Sequence, residues 1–158
     1  MKIKNTSQNT FGKNFCGPTC ISMVLSHFKI KKNPNQVFSL IKKIRNKYKI
    51  NLEEKRTGFS YFEEHFSIFK KLGLKTKKIF NPSLEGIKSS LSTGKPIIML
   101  VKSFRKNQAN HFVVLTNYDT GKIHFNDPQS IYRKPLTYPQ FRKKIITKYG
   151  VCGYVVTK

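Results

Sequence analysis

The sequence predicts an α+β fold in which N-terminal helices pack on an antiparallel sheet. Apolar residues recur at helical spacing through roughly the first ninety positions. After Pro96 they change to continuous or strand-like runs, two of them joined by a hairpin signal. Hydrophobic residues make up 38% of the 158, with 13 Phe and 7 Tyr, enough to fill one core. No repeat, linker or low-complexity stretch interrupts the chain, so a single domain over residues 1–158 is expected.

Asn14 to Phe28 reads as a helix that begins at Cys16-Gly17-Pro18. Proline in a first turn removes no helical hydrogen bond, and Ile21, Val24, Leu25 and Phe28 form one stripe. A second helix, Asn35 to Tyr48, carries Val37, Leu40, Ile41, Ile44 and Tyr48 on one face, with Lys42, Lys43, Arg45 and Lys47 around the other. A third opens on the capping pattern Ser60-x-x-Glu63, includes Phe62, His65, Phe66 and Phe69, and stops at Gly73. Pro82-Ser83 starts a short helix with Leu84, Ile87 and Leu91, closed by Thr93-Gly94. Strands follow at Pro96 to Val101, His111 to Tyr118 and Lys122 to Asn126, the last two joined through Asp119-Thr120-Gly121. Thr137 to Lys148 reads as helix, and Val151 to Val156 as a final strand.

The balance of 31 Lys and Arg against 7 Asp and Glu gives a formal charge of +24. Abundant Lys, Asn, Ile, Phe and Tyr point to an AT-rich genome, which inflates Lys without suppressing acids. The scarcity of acids is therefore the informative half. It fits a nucleic acid, an anionic envelope polymer or an acidic protein as partner. The longest apolar stretch falls well short of the roughly 20 residues of a membrane span, and no signal peptide is visible. A cytoplasmic protein, or one delivered into a target cell as part of a larger chain, is expected. Three cysteines make no disulfide framework, and no zinc-like cluster or cofactor motif is present.

Cys16 stands where a helix begins, so the helix dipole and free N–H groups favour its thiolate. Gly17 lets the backbone approach a substrate closely. Cys20, one turn on, and Cys152, in the last strand, read as packed thiols. A nucleophilic thiol needs a base and a group to orient that base. If Tyr118 pairs with Lys122 across a three-residue loop, Asp127 stands opposite Val113 with His111 as its diagonal neighbour, about 7–8 Å away. A register one residue different would turn Asp127 to the other face. His27, His65 and His124 read as structural or surface residues.

These residues resemble a family. The run from Ser7, SQNTFGKNFCGPTCISMVL, is similar to the N-terminal catalytic segment of the C39 peptidases and C39-like domains, papain-like cysteine peptidases of which some are fused to bacteriocin exporters. Gly94-Lys95-Pro96-Ile97-Ile98, Asn110-His111-Phe112-Val113-Val114-Leu115 and Asn126-Asp127-Pro128 match its later motifs in order. The resemblance implies a papain-like fold with Cys16 as nucleophile, His111 as general base and acid, and Asp127 as the orienting residue. It also implies that Gln8 joins the Cys16 N–H in the oxyanion hole, although Gln8 stands further before the Cys than in the exporter peptidases. No transporter segment follows, so a stand-alone enzyme is expected.

Two activities follow from these readings. The preferred one is a papain-like cysteine hydrolase, a peptidase or amidase, serving as the toxic domain of an antibacterial effector. It would act on a peptide or protein and be neutralised by an acidic immunity protein. The alternative is a toxin of the same fold that binds and cleaves RNA such as tRNA. The peptidase reading leads because the basic residues are spread over the helices and form no nucleic-acid signature.

Overall fold

The computed structural model describes residues 1–12, 14–47, 60–105, 110–130 and 133–158. Its helices are α1 (Cys16–His27), α2 (Pro34–Lys47), α3 (Phe62–Lys71), α4 (Leu84–Ser92) and α5 (Tyr138–Arg142). Its strands are β1 (Lys75–Ile79), β2 (Ile97–Lys102), β3 (Asn110–Asp119), β4 (Lys122–Asn126), β5 (Leu136–Thr137) and β6 (Gly153–Thr157). They form a six-stranded sheet in the order β1-β6-β2-β3-β4-β5, and every pairing is antiparallel.

Alternate residues along the central strands feed two cores. Ile98, Leu100, Phe112, Val114 and Tyr154 pack with Ile21, Leu25, Ile41 and Phe69 of α1 to α3. Ile97, Met99, Val113 and Leu115 pack with Ile87 and Leu91 of α4 and Phe141 of α5. Strand β2 has both faces covered, which is why its sequence is a continuous apolar run.

Several expectations are corrected. Arg45 does not join the solvated lysines of α2; it is fully buried, with Nε 2.6 Å and Nη2 3.2 Å from the carboxylate of Glu64 on α3. The same carboxylate accepts the Tyr61 N–H at 2.9 Å, so Glu64, one residue beyond Glu63, closes the start of α3. Ser60 turns its hydroxyl to His65 instead. The expected last turn of α2, at Tyr48, lies outside the described residues. The stretch expected to be helical to Lys148 is helical only to Arg142. Beyond it the chain returns to β2, with the Lys102 N–H on Lys144 O at 2.7 Å and the Ile146 N–H on Leu100 O at 3.1 Å. Ile145, Ile146 and Thr147 are β-branched and suit that extended path.

Strand β1, Lys-Thr-Lys-Lys-Ile, has no sequence signal because it is an edge strand, where lysines blunt the open side of a sheet. The β3–β4 hairpin turns on two residues: Asp119 pairs with Lys122, and Thr120 and Gly121 take φ of 43° and 77°. That register alone would have sent Asp127 to the wrong face. A bulge at Thr116 shifts it by one, so that Leu115 pairs with Phe125 and Val114 with Asn126.

Candidate active site

Cys16 is the first residue of α1, whose first backbone bond runs from Thr19 N–H to Phe15 O at 2.9 Å. The backbone N–H groups of this opening turn precede the helical ladder and have no intrahelical acceptor. Cys16 is nearly buried, and Gly17 behind it is packed so closely that a Cβ there would overlap Ser60 Oγ and stand 3.0 Å from His65 Nε2.

His111 enters the site from the start of β3, held in register by pairing with Val101 of β2. Its Nε2–H donates to Asp127 Oδ1 at 2.7 Å, and both side chains are buried. Nδ1 has no nitrogen or oxygen partner; the ring's other interaction is with the Cys16 thiol. Burial works against a charge on His111. The hydrogen bond to the Asp127 carboxylate, with Cys16 close to the ring, outweighs it and raises the imidazole to about 9.

Asp127 follows β4 in a tight turn. Ser130 N–H donates to its carbonyl at 3.0 Å, and Gln129 N–H to Oδ1 at 2.8 Å. Burial pushes its carboxyl up, but the hydrogen bond to His111, the imidazolium charge, the Gln129 amide and Arg133 together hold it below its usual range. Gln8, buried in a 3-10 turn (Gln8–Thr10), donates its backbone N–H to Pro128 O at 2.8 Å, which ties it to the Asp127 turn. The structure thus gathers Cys16, His111 and Asp127, with Gln8 tethered alongside.

The remaining thiols and imidazoles lie elsewhere. Cys20 donates to Phe112 O at 3.3 Å, and burial, with the nearby Cys16 and Asp127, drives its pKa well up. Cys152 donates to Ile79 O at 3.2 Å, and burial raises it too. His124 donates to Asp119 at the surface, and His27 to Gly94 O. His65 is fully buried between Ser60 Oγ (2.6 Å) and Tyr154 Oη (2.8 Å), and burial lowers its pKa to about 3.

Sequence reasoning missed two groups. One is this Ser60–His65–Tyr154 chain packed behind Gly17. The other is Arg133, whose Nε donates to Asp127 Oδ2 at 2.9 Å. Neither has a motif; both are assembled by tertiary contacts. Among the described residues no group of three or more His, Cys, Asp or Glu could hold a metal ion, and no helix is long and apolar enough to cross a membrane.

Helices packed on an antiparallel sheet in this order form a C39-like peptidase fold. The chain belongs to the Peptidase_C39 like family, whose sequence profile matches residues 1–156. Solved structures share the fold. A Bacillus anthracis protein described as a C39-like peptidase superposes with a TM-score of 0.74 at 16% identity, covering 99% of this chain and 95% of that one. The peptidase domain of Streptococcus ComA, a bifunctional ABC transporter of a quorum-sensing pathway, gives 0.69 at 16% identity, covering 99% and 97%. A double-glycine-motif protease from an AMS/PCAT transporter, solved with the leader peptide, gives 0.62 at 18% identity, covering 99% and 93%. A search of curated protein sequences returns no match.

Proposed function

We propose that the protein is a cysteine peptidase or amidase acting through Cys16, His111 and Asp127. The observation that carries this reading is the nearly buried Cys16 at a helix N-terminus facing an imidazole whose far nitrogen is bonded to a buried carboxylate at 2.7 Å. His111, raised to about 9, stands beside Cys16 as an imidazolium through neutral pH, and the thiolate is the attacking form of a cysteine. The Cys16 sulfur attacks the substrate carbonyl carbon, and the carbonyl electron pair moves onto oxygen. The Cys16 N–H and the Gln8 side chain are the donors assigned to that oxyanion. Collapse expels the amine, which takes the proton of His111 and leaves a thioester. Water then attacks the thioester carbon while neutral His111 accepts its proton, and expulsion of the Cys16 thiolate restores the pair. Asp127 orients the ring and supports its charge throughout.

The charge of +24 supports a role as the toxic domain of an effector held in check by an acidic immunity protein, because a one-sided field speeds encounter with such a partner. It supports RNA binding only as a salt-sensitive, non-specific attraction.

Iodoacetamide labelling at pH 6 with peptide mapping tests the site: Cys16 should react, and Cys20 and Cys152 should not. Cys16→Ala and His111→Ala should each abolish peptide hydrolysis while the fold survives. Equal labelling of the three thiols would sink the nucleophile assignment. RNA cleavage lost in Cys16→Ala would replace the peptidase reading with the nuclease one.

A further inference from the structure

The carboxylate behind His111 is gripped from both sides. Oδ1 accepts from His111 Nε2 and from the Gln129 N–H, and Oδ2 accepts from Arg133 Nε at 2.9 Å. Arg133 does not dangle in solvent, since its side chain is only 27% exposed. Its guanidinium carbon sits 4.4 Å from the centroid of the Phe104 ring, and that ring stacks on Phe125 at 5.4 Å with an interplanar angle of 16°. An arginine supported on an aromatic face and aimed at a fully buried carboxylate differs from the exposed ion pairs that contribute little.

We propose that Arg133 is a positioning residue of the active site, clamping Asp127 so that it orients His111 and supplying the counter-charge that lets His111 release its proton. The proposal rests on the peptidase reading above. It has a geometric and an electrostatic part. A carboxylate is broad and two-fold about its terminal torsion. An Asp127 held only through Oδ1 could rotate, whereas the bond to Oδ2 fixes which oxygen faces the imidazole. The electrostatic part concerns the half of the cycle in which His111 is neutral. Asp127 would then be a buried anion with no cation beside it, ready to draw a proton back onto the ring. Arg133 keeps that charge paired in both states.

The surrounding groups leave this role to Arg133. From α1 come Cys16 and Cys20, and Cys20 stays protonated in the core. Lys102, beside His111 on β2, points to solvent. Arg105 spends its guanidinium on the Gln129 carbonyl at 3.0 Å, and Lys144 lies 5.3 Å from the centroid of the Phe104 ring. From β4, Asn126 and Phe125 bring no charge. Arg133 is the cation bonded to the carboxylate.

The test is the pH dependence of Cys16 alkylation by iodoacetamide, which needs no substrate, in wild type, Arg133→Met and Arg133→Lys. Wild type should show an upper inflection near pH 9, where the imidazolium loses its proton, and His111→Ala should abolish it. Arg133→Met, which leaves the Asp127 carboxylate without the cation at 2.9 Å, should move that inflection up by on the order of one pH unit. Arg133→Lys, which keeps the charge, should stay close to wild type. An unmoved inflection in Arg133→Met, or an equal shift in both variants, would overturn the proposal. A wild-type profile without the upper inflection, or one indifferent to His111→Ala, would overturn the Cys16–His111 pairing itself, and the Arg133 role with it.

Discussion

Replacing Gly17 by alanine puts a methyl group into space that Ser60 and His65 already fill. The new Cβ would overlap Ser60 Oγ and stand 3.0 Å from His65 Nε2 and 3.1 Å from Ser60 Cβ, all tighter than ordinary van der Waals contact. Ser60 cannot turn aside freely, because its hydroxyl bonds His65 Nε2 at 2.6 Å and the other ring nitrogen is held by Tyr154 at 2.8 Å. Overpacking of this kind costs about 1–3 kcal/mol. If Ser60 swings away, the buried His65 nitrogen loses its partner, which adds about 1–3 kcal/mol. The sum is about 2–6 kcal/mol, a fall in melting temperature of roughly 4–24 °C for a chain of this length. Any part of the strain relieved by moving α1 displaces Cys16 instead and lowers the rate of alkylation. The assay is thermal unfolding together with Cys16 alkylation for Gly17→Ala, Ser60→Gly and the double variant. Ser60→Gly removes the overlapping atoms, so the double variant should be more stable than the two single losses added together. A Gly17→Ala protein within about 0.5 kcal/mol of wild type, or strict additivity, would refute the reasoning.

Glu64→Ala should cost about 3–5 kcal/mol by urea unfolding, because it leaves Arg45 charged and buried, and more than exposed Glu85→Ala, whose partner Lys88 is half in solvent. His65 has a folded pKa near 3 against 6.5 unfolded, so the unfolded chain alone binds that proton between those values. Stability should therefore fall as pH drops from about 6.5 toward 3, by at most about 1.4 kcal/mol per pH unit from this group, and His65→Gln should flatten the slope. Asp127, whose folded pKa is depressed, contributes stability that is lost only below its unfolded value of 3.8, so its loss sets in where the His65 contribution is already nearing its end. Asp127→Asn should retain measurable peptide hydrolysis far below wild type, because the orienting group transfers no proton itself; full wild-type rate would remove Asp127 from the site.

The parts of this protein legible from its sequence are those decided by neighbours along the chain. The apolar stripes of α1 and α2, the stop at Gly73, the buried run of β2 and the position of Cys16 at a helix start all follow from spacing and local backbone preference. The His111–Asp127 couple was legible only conditionally. A three-residue hairpin implies it, yet the turn has two residues, and the couple forms because the bulge at Thr116 restores the register. A bulge answers to twist and packing across strands, which no short window of sequence contains. The same holds for Arg45, which by helical position belongs with the solvated lysines and is buried because Glu64 arrives from another helix to neutralise it. Strand β1 forms because β6 offers a hydrogen-bonding edge, whatever its lysines prefer alone. Arg133 meets Asp127 because the chain after β4 folds back over Phe104. Charge pairing and edge pairing depend on distance through space, and only the tertiary structure brings those residues within reach of one another.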